Sequence, residues 1–282
     1  MKKLVLLPAL AAATASTTLS TTAASANPRV LPFTYTTDTL APGTAELEQT
    51  VDLVPLVGLD PSTGLPGYYL ASAFQTELEL GVAERLELAL YITYQPTISP
   101  ELIANQAKLF DANGAKQRLR YTFAPAGAWP VDVGVYGELS ENEREVEVEG
   151  KLLLERRFGR LRVAANLWAE YELYFARDPA TGEHQRDVVL NPTLGASYEL
   201  SPKVHLGIDS WLRGEYPTNP APATRTFGLG PAYYVGPAIM ASFAKVWWTV
   251  GAYGRVTDTG HELAPGEPYG KVWFRTMIGY DL

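Results

Sequence analysis

The sequence predicts an all-β protein: a transmembrane, antiparallel, up-and-down β-barrel of about 12 strands preceded by a cleaved signal peptide. Three observations carry this expectation: segments that alternate apolar and charged, connections that alternate short and long, and an export leader. The alternation is plainest in residues 74–95, FQTELELGVAERLELALYITYQ. Phe74, Thr76, Leu78 and Leu80 share one face, with Gln75, Glu77 and Glu79 on the other. Beyond GVAER, Leu86, Leu88, Leu90, Ile92 and Tyr94 alternate with Glu87, Ala89, Tyr91 and Thr93. A period of two places successive side chains on opposite faces of a strand, whereas a helix would scatter the glutamates around its axis. The pair reads as a hairpin, with Gly81 expected to give the turn its backbone freedom.

Residues 1–26 read as the leader. Lys2 and Lys3 precede the apolar run LVLLPALAAATA, and Ala24-Ser25-Ala26 is a small-residue cleavage site. The run is too short for a spanning helix, which needs roughly 20 apolar residues. Residues 27–43, polar and punctuated by proline, read as a periplasmic lead-in, and residues 44–282 as the barrel. In the barrel Ala45, Leu47, Val51 and Leu53 oppose Glu46, Glu48, Thr50 and Asp52. The hairpin of residues 74–95 follows, then a long connection in which ELIANQAKLF could form a short helix. Next, Leu119, Tyr121 and Phe123 oppose Lys116, Arg118, Arg120 and Thr122.

The pattern repeats in VDVGVYGEL, REVEVEGKLLLERRFG, RLRVAANLWAEYELYF, VVLNPTLGASYEL, KVHLGIDSWLR, KVWWTVGAYGRV and KVWFRTMIGYDL. GLGPAYYVGPAIMASF is the weakest strand, because Pro231 and Pro237 cannot donate to a ladder. The links GVAE, PAGAW, FGR, SPK and FAK are short and close every second strand, and the intervening ones are long and polar. Only SENE breaks the rule. Short turns at one end and long loops at the other belong to outer-membrane barrels. A soluble sandwich with its charged faces outward is the competing architecture, and it gives no reason for that parity. Aromatics at the ends of apolar faces (Phe74, Tyr94, Phe175, Tyr198, Phe274, Tyr280) suit interfacial girdles.

Stretches such as YTTDTLAPGTAELEQ, ELELGVAERLELALYITY, VGVYGEL, LLLERRFGRLRVAANL, LGASYELSPKVHLGI and KVWWTV resemble a family of Gram-negative outer-membrane barrels without assigned activity. The resemblance runs from about Tyr35 to Val250 and implies the barrel fold and an outer-membrane location, but no functional residues. A looser likeness links the chain to barrels described as transporters in aromatic-compound degradation. The end Ile278, Tyr280, Leu282 is similar to the assembly signal read by the outer-membrane assembly machinery, with Leu in place of the usual Phe and Met277 where Gly is common.

Composition narrows the function classes. Loss of Lys2 and Lys3 with the leader takes Lys and Arg from 23 to 21, against 31 Asp and Glu, which disfavours nucleic acid as a partner. The chain has no cysteine, and its three histidines, His184, His205 and His261, lack metal-ligand spacing, so no metal or cofactor is expected. A Ser–His hydrolase finds no serine spaced to serve it, and the group Asp178, Glu183, His184 and Asp187 reads as a polar loop. The expected partners are the lipid bilayer, the assembly machinery and small solutes.

The candidate functional surface is the charged inner face. It begins with Glu46, Glu48, Glu77, Glu79 and Glu87, meets Lys116, Arg118 and Arg120, and continues through Asp132, Glu138, Glu145, Glu147, Glu149, Arg162, Glu170 and Glu172. His205, Asp209, Arg213, Arg255, Lys271 and Arg275 complete it. Two roles stay open: the wall of a narrow, weakly cation-selective path, or an ion-pair network closing a structural or adhesive barrel.

Overall fold

In the computed structural model, residues 27–60, 62–94, 112–177, 181–218, 231–257, 260, 262–267 and 269–282 are described. They form β1 (Ala45–Leu59), β2 (Pro66–Ala83), β3 (Leu86–Tyr94), β4 (Ala112–Thr122), β5 (Asp132–Asn142), β6 (Glu145–Phe158), β7 (Leu161–Arg177), β8 (His184–Leu190), β9 (Thr193–Ser201), β10 (Val204–Pro217), β11 (Ala232–Phe243), β12 (Val246–Arg255) and β13 (Val272–Asp281). Apart from β8 and β9, which do not pair with each other, chain neighbours pair antiparallel. β13 closes on β1 in the register Glu46↔Asp281 to Leu53↔Phe274, so the sheet has no free edge. β8 and β9 both pair with β7 on one side and β10 on the other. They are halves of one stave interrupted at Asn191 and Pro192, which makes a closed 12-stave barrel.

The two faces separate by polarity. Glu46, Glu48, Thr50 and Asp52 of β1 are buried inside, while Leu47 is 42% exposed on the outer surface. Outward positions elsewhere are apolar and exposed in the same way, as at Leu90, Leu119, Leu139, Leu167, Ile208 and Ile278. In water this polarity would be inverted; in a bilayer it gives the lipid hydrocarbon and the interior the charges. Leu90 sits midway along β3, so Leu90→Arg is expected to cost about 2–4 kcal/mol because hydrocarbon cannot solvate the guanidinium. Ala89→Ser, on the inner face, should be much milder. Urea unfolding in lipid vesicles measures both, and equal responses would reverse the assignment of faces.

Four short turns share one end, and the Glu143-Arg144 turn between β5 and β6 lies at the other. Glu84-Arg85, Gly159-Arg160, Pro202-Lys203 and Ala244-Lys245 are two-residue reversals. Three of them place a residue at positive φ: Arg85 (63°), Gly159 (60°) and Ala244 (54°). This corrects the reading of Gly81, which lies within β2 and not in the turn. Its role is close approach: a Cβ there would stand 2.0 Å from the Ala41 carbonyl oxygen. The segment holding Pro237 is a strand after all. Pro237 pairs in register with Ile208 on β10, while the recorded β12 pairs pass from Val235↔Gly254 to Ala238↔Gly251. The expected helix in ELIANQAKLF lies outside the described residues.

Candidate functional site: the lumen and its internal belt

The largest departure from expectation concerns residues 27–43. They are no free lead-in: they run around the inner wall as a belt, with Val30, Leu31, Phe33, Thr34, Tyr35, Thr37 and Leu40 all buried. A chain in this position has no ladder to satisfy its amides, and buried N–H groups need acceptors. Inward side chains of four staves supply them. Asp209 on β10 accepts the N–H of Phe33 at 2.7 Å and the Thr34 hydroxyl at 2.5 Å. Asn166 on β7 accepts from Tyr35 N–H at 2.7 Å and donates back to the Tyr35 carbonyl at 2.9 Å. Glu155 on β6 accepts from Thr37 N–H at 2.8 Å, and Glu87 on β3 from Leu40 N–H at 2.9 Å. Thr249 on β12 and Thr122 on β4 donate their hydroxyls to the carbonyls of Arg29 and Thr37.

Side chains lock the belt as well. Leu31 enters a hollow left by two inner-face glycines: a Cβ at Gly195 or Gly207 would come within 2.6 or 2.8 Å of its methyl groups. Leu31 and Val30 pack with Ala238, Met240, Trp247 and Met277, which gives Met277 a packing role on the inner face. Phe33 stacks on Trp211 at 4.7 Å between ring centres, and Trp211 stacks on Tyr234 at 4.5 Å. The Arg275 guanidinium lies 3.8 Å from the centre of the Phe33 ring. Asp38 pairs with Arg157 and, at 2.7 Å, with Arg162. Burial opposes the charge on Asp38, but these two guanidiniums hold its carboxyl below its ordinary pKa.

On the wall above the belt, the charges gather into two groups. In the first, Arg118 of β4 is wholly buried and reaches Glu77 at 2.8 Å, Glu79 at 2.6 Å and Glu87 at 2.5 Å, with the Tyr91 hydroxyl at 2.8 Å. Arg120 also bonds Glu87, at 2.7 Å. Planarity and five donors allow guanidinium to serve three carboxylates where an ammonium could not.

The second group covers β5 to β7. Glu138 faces Glu149, and Glu149 and Glu147 face Glu170 and Glu172, like charges directly across strands that would repel without counter-ions. Lys116 meets Glu138 at 2.9 Å, Lys151 meets Glu149 at 2.7 Å, and Arg213 lies 3.7 and 3.5 Å from Glu170 and Glu172. The Lys151 ammonium also lies against three rings, 3.6 Å from Trp168, 4.0 Å from Tyr136 and 4.4 Å from Tyr35. Glu147 belongs to two sets of carboxylates whose oxygens lie within 4.8 Å of one another. Among the described residues no Lys or Arg comes within 4.0 Å of it, and Lys116, already paired with Glu138, acts on it from farther off.

The remaining candidates are dispersed. Glu46 lies beneath Trp247, whose indole N–H donates to it at 2.7 Å. Glu48 is buried 3.7 Å from Arg29. Asp132 is buried near the β4–β5 turn and accepts from Gly127 N–H, not from a base on β4. Glu145 accepts from Asn142. His205 is half-buried, 3.4 Å from the Ser197 hydroxyl. Arg255 pairs with Glu267, and Arg275 with Asp52. Lys271 is exposed just before β13 and joins neither group. His184 opens β8 with a ring nitrogen 2.9 Å from the Tyr174 carbonyl, and Asp187 is buried. Asp178 and His261 lie outside the described residues.

The belt lies between two spaces. Above it, a cavity of about 190 Å³ is lined by Arg29, Phe33, Tyr35, Lys116, Glu147, Lys151 and others. Below it, one of about 700 Å³, lined by Asn27, Val30, Leu40, Pro202, His205 and Ala244, reaches the short-turn end. The belt residues stand outside the charged set that the sequence marked. The available signal was RVLPF (residues 29–33), an apolar run inside a segment otherwise read as polar.

A family model described as a family of unknown function, DUF6662, matches residues 23–267. A search of curated proteins found no match. Among solved structures, the COG4313 outer membrane channel from Pseudomonas putida F1 is similar at 10% identity and a TM-score of 0.59, over 87% of this chain and 97% of that one. The NanC porin is similar at 8% identity and a TM-score of 0.54, over 84% of this chain and 100% of that one. At such identities the likeness extends to the fold.

Proposed function

The chain belongs to that family, DUF6662, and we propose that it is a narrow, weakly cation-selective channel for small solutes in the outer membrane. It is not an enzyme in this reading. The single observation that carries the polarity is Glu147. The bases lining the upper cavity are each matched: Arg29 by Glu48, Lys116 by Glu138, Lys151 by Glu149, Arg213 by Glu170 and Arg275 by Asp52. Glu147 faces the same cavity with no such match among the described residues. A carboxylate without a close counter-ion of its own, in a confined aqueous space, draws cations and repels anions. The likeness to two barrels named as a channel and a porin supports the transport reading.

Planar-bilayer recording of the refolded protein tests this. Small conductance with cations preferred is expected, and Glu147→Gln should bring the preference close to neutrality. Chloride preference would sink the reading. A second reading, a closed structural or adhesive barrel, is favoured by the belt and by the paired interior, and a barrel that conducts nothing would put it ahead. Orientation follows from the leader and the loop parity, with both termini and the four short turns in the periplasm. Cysteines at Pro61, Asn105, Ala180, Pro220 or Ala264 should label on intact cells, and those at Ala83 or Pro202 should not; the opposite pattern would invert the barrel.

A further inference from the structure

The belt begins at Asn27, whose main-chain nitrogen stands 3.4 Å from Oε2 of Glu46. In a chain that retains its leader, this nitrogen is a neutral amide with one hydrogen. At an N terminus created by cleavage after Ala26 it is an ammonium with three. We propose that the α-ammonium of processed Asn27 is the counter-ion of Glu46, so that leader removal itself makes the ion pair that fixes the start of the belt.

Three observations carry this. Glu46 is fully buried, and its Oε1 already accepts the Trp247 indole N–H, so only Oε2 is left to be served. Its cross-strand neighbours are both acids, Asp281 on β13 and Glu79 on β2. Glu79 is held by Arg118, whereas no Lys or Arg among the described residues pairs with Glu46. A buried carboxylate between two other acids is costly unless a positive charge comes with it. The nearest group able to become one is the Asn27 nitrogen, and its surroundings suit it. The Asn27 side chain donates to the Asp38 carbonyl at 3.3 Å, tying the start of the belt to its far limb, and the lower cavity beside Asn27 gives the other ammonium hydrogens room for water.

Processing thereby becomes an assembly step as well as an export step. The uncleaved chain would present an amide to Glu46 and leave it without a counter-ion. The cleaved chain supplies its own cation at a place where no Lys or Arg among the described wall residues does so.

The chain has no cysteine, so a single Val30→Cys, buried in the belt at 4% exposure, reports docking through its reaction with a polar maleimide. N-terminal sequencing of the protein from outer membranes should begin at Asn27. Inserting Gly-Ser-Gly-Ser between Ala26 and Asn27, with the cleavage sequence unchanged, moves the ammonium away and should speed labelling about tenfold. In a Glu46→Gln background labelling should already be fast, and the insertion should add nothing. A measurement on the unaltered protein needs no variant: cyanate should carbamylate the Asn27 amine much more slowly in the folded barrel than in the urea-unfolded chain. A mature chain starting elsewhere, an insertion without effect, the same acceleration in both backgrounds, or equal carbamylation rates would each overturn the proposal.

Discussion

Deleting residues 28–40 is expected to raise the single-channel conductance of the refolded barrel severalfold while leaving the barrel folded. The belt fills the lumen between the two cavities, yet it contributes little to the sheet. The main-chain bonds joining it to the wall are confined to its last residues, with Gly43 N–H donating to the Gly81 carbonyl and Gly81 N–H to that of Thr44. Closure of β13 on β1 does not involve it. Asp209, Asn166, Glu155 and Glu87 would lose the belt amides they accept, but water entering the widened lumen would replace those donors, so the cost is smaller than for a dry interior. Bilayer recording measures the conductance, and the heat-dependent shift in gel mobility reports the fold. Unchanged conductance would mean that another constriction limits the path, and loss of the folded band would mean that the belt is needed for assembly.

Arg118→Ala should have the largest effect of any single substitution in the barrel wall, about 3–5 kcal/mol of stability, because it strands buried carboxylates. Glu77, Glu79 and Glu87 share this one guanidinium, and among the described residues only Glu87 has a second ion pair, with Arg120. Arg118→Lys should recover a minor part, since a single ammonium on a flexible stem cannot reach three acceptors in the same geometry. Adding Glu77→Gln and Glu79→Gln to Arg118→Ala should return much of the loss, as the repelling charges go with the base. Urea unfolding in vesicles gives the series. A triple variant no more stable than Arg118→Ala would show that the arginine acts through packing against Tyr91 and Tyr136. In the channel reading, cations should remain preferred in Arg118→Ala, because Glu147 lies in the other group.

The barrel was legible in the residues because its two environments differ as sharply as two solvents can. Each strand had to place leucine or valine toward lipid and glutamate or arginine inward, and a period of two writes that requirement directly into the chain. Loop parity added the direction, and two-residue turns such as Glu84-Arg85 and Gly159-Arg160 marked where it reverses. The bases of β4 meet Glu87 and Glu138 because neighbours on one face of a sheet face the residues of the adjoining strands. Asp132, at the end of its strand, turns to a backbone amide instead.

The belt was not legible, and the reason is physical. Its contacts are between residues far apart in the chain, such as Phe33 with Asp209 and Tyr35 with Asn166, and they repeat with no period. An inward aspartate that accepts two amides of a distant segment has the same local sequence as one that faces water. Gly195 and Gly207 look like weak points of their strands until Leu31 is seen to occupy the space they leave. The sequence by itself determined the barrel and its two faces, lipid-facing and charged, because lipid and water act on every residue separately. Only the tertiary structure decided what fills that interior, because there acceptors, hollows and charges count only in the combination that closure brings together.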